Sequence, residues 1–449
     1  MKNFRPVALL CVAGMVLEKI VADQIEDFFE RNGLFGEFQF GFRRNKSTIS
    51  ELLTLFKTIQ EAKEEDMKVA LVLYDLSAAF DSVEPEVIIE KLQIYGFNSL
   101  SRKWLKSYLI GRKQFTTVNG KKSSPVTLRY GTPQGSRLSP LLFIILMADL
   151  NLWTEDSRLS NFADDTQSCI IKPTEEELRR TTIQESEAVV GYFSANNLVN
   201  NKDKAALLYN NRRKADSITM EVAGENIQAK ASEKLLGIQV SSSMDWKAHI
   251  SQLQTKLHQR LGILRRLKSK VPGPKLRIIA EAIFTSVARY GIAVYFKPRL
   301  HLDPTCEEQT KLQVIQNKMI RLLAGKKPAD KARIEDLSKE FNVMSMNQMA
   351  SYHVLIETYN AINLGSSEKI KAKLIPANTH SRYLTVPLFK KSSCRSFSYF
   401  ASRLWNSLPM NISMDAKKAT NNKSDEVRKK NVFKKDIKKW ILEGGVPFR

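Results

Sequence analysis

The run Val69–Tyr74 (VALVLY) is short, continuously apolar and rich in branched side chains, and Asp75 follows it directly. Such a run reads as a central strand buried on both faces, which places a carboxylate at the strand's carboxyl end, where a sheet leaves room for a site. No lysine or arginine adjoins Asp75, so a buried Asp75 would need a partner from elsewhere. A second acidic feature lies in NFADDTQS, residues 161–168. The chain around it has the pattern of two short strands joined by a tight turn, for which Asp and Asn are suited because their side chains bond to nearby backbone. Asp164 and Asp165, side by side, repel each other unless a cation offsets them. Most such pairs are solvated loop residues, but a third acid from another strand changes the reading. Asp75, Asp164 and Asp165 together suit Mg2+, with its preference for hard oxygen ligands, or Mn2+.

The remaining pattern supplies what surrounds that strand. Leu17, Ile20, Val21, Ile25 and Phe28 form one face of a first helix. The loop QFGFRRNKS leads into a second helix, with Ser47 or Thr48 as its cap. Helices are expected over 87–95, 101–109 and 138–152, a hairpin turning at Asn119 and Gly120, a helix over 175–196 and a strand over 206–209. Beyond Trp246 the period becomes helical: Ile250, Leu253, Leu257, Leu261 and Leu264 recur every three or four residues, among Lys256, Arg260, Arg265, Arg266, Lys268 and Lys270. Further helices are expected around 276–290, 312–323 and 351–359. Residues 411–426 read as polar and flexible, and 427–442 as a basic amphipathic helix that docks onto the fold or contacts RNA. Trp405 reads equally as core or as a base-stacking platform.

Charge narrows the partner. Lys and Arg number 70 against 47 Asp and Glu, a net +23 with pI near 9.7, which favours a polyanion, nucleic acid above all. The four cysteines are scattered, which excludes a zinc finger or disulfide framework. The five histidines show no metal-ligand spacing. No apolar run approaches the roughly 18 residues of a membrane span. The N-terminus imitates a signal peptide, yet Glu18, Lys19 and Asp23 continue a helix where a cleavage site would stand.

Three blocks carry a resemblance: YDLSAAFDSV (Tyr74–Val83), GTPQGSRLSPLLF (Gly131–Phe143) and FADD (Phe162–Asp165). In order and spacing they resemble motifs A, B and C of the reverse transcriptases of non-LTR, LINE-type retrotransposons, especially of the jockey and CR1-like branches. The resemblance implies an α+β, right-hand polymerase fold: partial fingers over 1–68, a ferredoxin-like palm over 69–245, a helical thumb over 246–345 and a basic helical C-terminal region over 346–449. It implies an RNA-directed DNA polymerase that extends a DNA primer on an RNA template, as in target-primed reverse transcription, with Asp75 and Asp164 as principal metal ligands and Asp165 completing the triad. The expected partners are RNA template, DNA primer, their duplex and deoxynucleoside triphosphates, with no membrane. The expected location is a cytoplasmic ribonucleoprotein and the nucleus.

The same resemblance gives other residues roles. Phe80 corresponds to a bulky side chain beneath the sugar of the incoming nucleotide, where it would clash with a 2′-OH. Gln134 and Gly135 correspond to residues lining the nucleotide and template-base pocket. Arg43, Arg44 and Lys46 match a finger loop that grips triphosphate or template, against a plain reading as solvated charges. Lys204, with Lys202 as runner-up, matches a lysine near the leaving pyrophosphate. Leu236 and Gly237 match a hairpin that holds the primer end. At the front the match is incomplete: Gly14 and Met15 stand where serine and lysine are common, and an upstream endonuclease domain is missing, which implies a truncated copy or partial gene model. The alternatives are a catalytically inactive nucleic-acid binder and a relic that does not fold stably.

Overall fold

The computed structural model describes residues 7–201, 205–209, 219–222, 224–298, 307–377, 382–387, 397–417 and 423–446. The chain divides into two compact units, Met1–Thr48 with Met67–Lys230, and Ile49–Asp66 with Ala231–Arg449.

In the first unit, β1 (Lys68–Tyr74), β2 (Arg158–Phe162), β3 (Asp165–Lys172) and β4 (Ala206–Tyr209) form one sheet in the order β2-β3-β1-β4. All three pairings are antiparallel. Strand, helices, hairpin, helix and strand in this order form the split β-α-β arrangement of a ferredoxin-like sheet. Six of the seven residues of β1 are buried, as expected for a strand covered on both faces. Ala70, Val72 and Tyr74 pack into a core with residues of α1 (Val12–Arg31), α3 (Pro85–Ile94), α4 (Ser99–Leu109), α5 (Leu138–Leu146) and α6 (Glu175–Ala195). Thr174 caps α6, its hydroxyl accepting from Glu177 N at 3.2 Å, and three glutamates fill the first turn where the helix dipole favours them.

α5 ends at Leu146, six residues short of the expected 152, with a single 3-10 turn at Leu150–Leu152. The physical reason is a buried lysine. Lys91 Nζ donates to Leu146 O at 2.7 Å, to Asp149 Oδ1 at 2.5 Å and to Tyr192 Oη at 2.9 Å, and Tyr192 Oη donates to Leu146 O at 2.5 Å. The carbonyl that would accept from the next helical turn is taken by side chains.

The helix α2 (Thr48–Glu64) lies almost wholly in the second unit, although its sequence position places it with the fingers. Its Phe56 ring lies 4.3 Å from that of Trp246, and Thr54 Oγ1 is 2.7 Å from Ser367 Oγ. The hairpin β5 (Ser232–Leu235) and β6 (Ile238–Ser241) precedes α7 (Lys247–Leu267), in which the five residues of the apolar stripe are all buried. α7 packs on α8 (Glu307–Leu323). The helix expected over 276–290 is realised as Gly273–Ala280, a π-helical turn Glu281–Thr285 and Ser286–Arg289.

The last helices, α9 (Met346–Leu364), α10 (Phe397–Asn406) and α11 (Lys423–Leu442), share a core of Val354, Leu355, Phe400, Leu404, Ile437 and Ile441. Trp405 belongs to that core at 1% exposure, so its aromatic surface serves packing and not base stacking. Phe433 stacks on Tyr359 at 4.7 Å, which docks α11 onto its unit. Part of the segment read as flexible is a helix, Met410–Lys417, because Ile412 and Ala416 are buried in the same core; residues 418–422 of that segment lie outside the described residues. Among the described residues no helix is long and apolar enough to cross a membrane.

Candidate active site

β2 and β3 are joined by a two-residue turn, Ala163 and Asp164, with Phe162 opposite Asp165. Ala163 adopts φ +61, a left-handed conformation that costs a residue bearing a Cβ about 1–2 kcal/mol. In the β1–β3 pair the last register partners are Tyr74 and Thr166. One step beyond that last pair stand Asp75, just past the end of β1, and Asp165, the first residue of β3. Opposed residues of an antiparallel pair have Cα atoms roughly 4.5–5.5 Å apart and present their side chains on one face. The backbone after β1 is held from the other side, Asn201 N donating to Asp75 O at 2.7 Å and Ser77 N to Val199 O at 2.8 Å. Asp75 and Asp164 are half-buried and Asp165 is exposed.

Among the described residues no three acidic, imidazole or thiol side chains form a group ready to hold a metal ion. The three aspartates expected at the site lie just past the end of β1, in the turn between β2 and β3, and at the start of β3. The donor set itself, hard carboxylate oxygens on adjacent strand ends, fits a divalent cation such as Mg2+.

The segment after Asp75 and the loop before α5 are bonded to each other. Thr132 N donates to Phe80 O at 2.9 Å and Gly131 N to Val83 O at 2.7 Å. Gly131 has φ +80, and a Cβ there would stand 2.9 Å from Asp81 O, so the close approach requires glycine. Gln134 Nε2 donates to Asp81 Oδ1 at 2.8 Å. Phe80 is partly buried, its ring 4.9 Å from that of Phe143 and 6.3 Å from that of Phe42. Gly135, at φ +110, is exposed, yet a Cβ there would lie 3.1 Å from Ala8 O, and Ala8 N donates to Gln134 O at 2.7 Å.

Glu18 is an anchor that periodicity left unmarked, because α1 buries Glu18, Ala22, Ile25, Glu26 and Phe29, whereas Leu17, Ile20 and Phe28 of the face read from the sequence are exposed. It is 4% exposed and accepts from Tyr108 Oη at 2.6 Å, Ser136 Oγ at 2.9 Å and Arg137 N at 3.0 Å, so α1 holds the loop before α5. Burial first, and the bond to Glu18 second, push the Tyr108 phenol above its ordinary pKa.

The three cations of the finger loop separate. Arg43 pairs with Glu30, Nη2 at 2.6 Å and Nε at 2.9 Å, and also donates to Gly36 O at 2.5 Å and Gln39 O at 3.2 Å. Its side chain is 9% exposed, so its geometry is that of a loop anchor. Arg44 lies 3.0 Å from Glu26 and 3.7 Å from Asp23. Lys46 Nζ lies over the Phe40 ring at 5.4 Å. Lys204 and Lys202 lie outside the described residues.

Leu236 and Gly237 belong to the second unit, forming the two-residue turn between β5 and β6 with φ +44 and +84. Tyr290, which no sequence pattern singled out, donates from Oη to Leu236 O at 2.6 Å, and its ring lies 3.0 Å from where a Cβ on Gly237 would be.

Known proteins bear on these arrangements. The RNA-directed DNA polymerase from mobile element jockey of Drosophila funebris is 28% identical over 345 residues, covering 72% of this chain and 36% of that protein. The probable RNA-directed DNA polymerase from transposon BS of Drosophila melanogaster is 25% identical over 364 residues, covering 78% and 39%. The chain thus spans little more than a third of the length of these relatives. A telomerase from Candida albicans, solved in complex with a fragment of telomeric RNA, aligns over 73% of this chain and 58% of its own with 11% identity and a TM-score of 0.43. The model of the reverse transcriptase (RNA-dependent DNA polymerase) family matches residues 1–240, the stretch holding all three aspartates and both loops that flank them, and the chain therefore belongs to that family.

Proposed function

We propose that the chain is an RNA-directed DNA polymerase that adds deoxynucleotides to a DNA primer on an RNA template, in the manner of LINE-type elements. Reverse transcriptases use divalent metal ions. Here Asp75, Asp164 and Asp165 would hold them, Mg2+ by preference and Mn2+ as substitute. Held there, two such ions would supply Lewis acidity, lowering the pKa of a primer hydroxyl and offsetting charge on the triphosphate. The observation that supports the reading is the register: Tyr74, the last paired residue of β1, lies opposite Thr166, so Asp75 follows at the end of a buried strand and Asp165 precedes Thr166 beside the turn bearing Asp164.

The chain's own residues supply position and charge, which dominate phosphoryl transfer. Phe80, wedged against Phe143, is the surface below the nucleotide sugar, and Gln134, tied to Asp81, with Gly135 borders the base pocket. Arg44 and Lys46 face the triphosphate or template more readily than Arg43, whose fork is occupied by Glu30. Lys204 is the proton donor to the leaving pyrophosphate. Leu236 and Gly237 hold the primer end. In this reading the β2-β3-β1-β4 sheet is the palm, the helices from α7 onward begin a thumb that grips the duplex through phosphate contacts, and the protein works in a cytoplasmic ribonucleoprotein and in the nucleus.

The test is Mg2+-dependent extension of oligo(dT) on poly(rA). Asp75→Asn and Asp164→Asn are expected to abolish extension while primer–template binding and the melting curve persist. Extension by either variant at the wild-type rate refutes the assignment, and wild-type binding without extension favours an inactive nucleic-acid binder.

A further inference from the structure

The turn that carries Asp164 is restrained from outside its own hairpin. Ala163 holds a backbone conformation that a Cβ disfavours, φ +61. Its amide N–H points to Gln39, whose Oε1 accepts from Ala163 N at 3.3 Å and from Gly41 N at 3.0 Å. Gln39 is 0% exposed. Two backbone donors converging on one atom settle which end of the amide faces them. Among the described residues the other end, Nε2, has no hydrogen-bond partner, while the oxygen is used twice. The side chain is suited to its site by its acceptor alone.

The loop around Gln39 is clamped to the same place. Asn161 N donates to Phe38 O and Phe40 N to Asn161 O, both at 2.8 Å, and Gln39 bridges Asn161 as a short parallel pair. A Cβ on Gly41 would stand 2.3 Å from Ala163 N and 2.8 Å from Phe162 C. Only glycine allows the loop to lie this close.

We propose that Gln39 is a positioning residue for the acidic turn: its amide oxygen holds the Ala163 amide and thereby fixes how Asp164 leaves the turn, with Gly41 supplying the space. The inference rests on the polymerase reading above for its kinetic consequences, but the restraint itself is observable without turnover.

Gln39→Met keeps the length and removes the acceptor, whereas Gln39→Glu keeps an acceptor in either protonation state. In the full chain, Gln39→Met is expected to lower kcat for primer extension about 10- to 100-fold, the usual effect of losing a residue that orients metal ligands. Half-saturating Mg2+ rises, while the KM for nucleotide and the affinity for primer–template stay within about twofold. Gln39→Glu, which still accepts from the Ala163 and Gly41 amides, keeps exchange over residues 159–166 close to that of the wild type. Hydrogen–deuterium exchange over residues 159–166 accelerates in Gln39→Met and not elsewhere in the first unit. Unchanged exchange in that segment overturns the proposal whatever the activity. So does a general loss of protection and a lowered melting point shared by both variants, which marks a residue needed only for folding. A wild-type chain that extends no primer refutes the polymerase reading instead, and the exchange experiment still decides the role of Gln39.

Discussion

Acidification is expected to weaken the second unit through one buried imidazole. His249, at the start of α7, is 8% exposed, and its Nδ1 accepts from Gln239 N at 3.3 Å. Its ring meets Tyr295 edge-on at 4.7 Å. An accepting Nδ1 requires the neutral ring with its proton on Nε2. Burial first and Lys256 second hold the His249 pKa down to about 4, against 6.5 for the ordinary side chain. The folded value is the lower one, so the stability contribution is fully present above pH 6.5 and is lost as pH falls toward 4. The difference, 6.5 − 4 = 2.5 units, corresponds at about 1.4 kcal/mol per unit to about 3 kcal/mol. His353 on α9, also held down to about 4 by burial and by Arg289 and Lys434, adds a loss of the same sign. His249→Gln keeps an acceptor for Gln239 N and removes the titration. Urea unfolding between about pH 7 and pH 4.5 is expected to show the variant losing about 2–3 kcal/mol less stability than the wild type. Parallel pH profiles refute the argument, because a neutral imidazole enforced by its surroundings must show this difference.

Other perturbations test other links. Lys91→Met removes a buried cation bonded to Leu146 O, Asp149 and Tyr192 and is expected to cost about 3–5 kcal/mol in urea unfolding. Leu236→Asn places a residue tolerant of positive φ where the turn holds φ +44; the melting free energy is expected to rise by about 1 kcal/mol, with primer–template affinity measured alongside to separate fold from grip. Trp405→Ala empties a site at 1% exposure and is expected to destabilise by about 3–5 kcal/mol, measured by denaturant titration.

The parts of the molecule that sequence reveals are those governed by local period. VALVLY and the 250–264 stripe declare a buried strand and an amphipathic helix because burial repeats at fixed intervals, and both are present with the expected residues inside. Asn119 and Gly120 declare a turn because they tolerate the φ values of +50 and +78 that it needs. What escapes is set by partners far along the chain. α2 reads as a fingers helix from its place in the order, yet Phe56 meets Trp246 and Thr54 meets Ser367, and nothing local announces either neighbour. α5 stops early for the same reason, since the side chains that take the Leu146 carbonyl come from Lys91 and Tyr192.

The acidic site divides along that line. Asp75, Asp164 and Asp165 are visible because a strand end and a tight turn leave signatures in the residues themselves. The groups that hold the turn and its neighbouring loop are Gln39, Gly41, Glu18 and Asp81, and each acts on a backbone amide, a close backbone approach or a polar side chain of a distant segment. A bond to a backbone amide constrains the acceptor but leaves almost no mark on the residue that donates. Ala163 shows the consequence: an ordinary alanine in sequence, it is held at φ +61 by a glutamine 124 positions away. The chemistry of such a site is therefore legible from its acids, while its precision resides in residues whose only distinguishing feature is where the fold carries them.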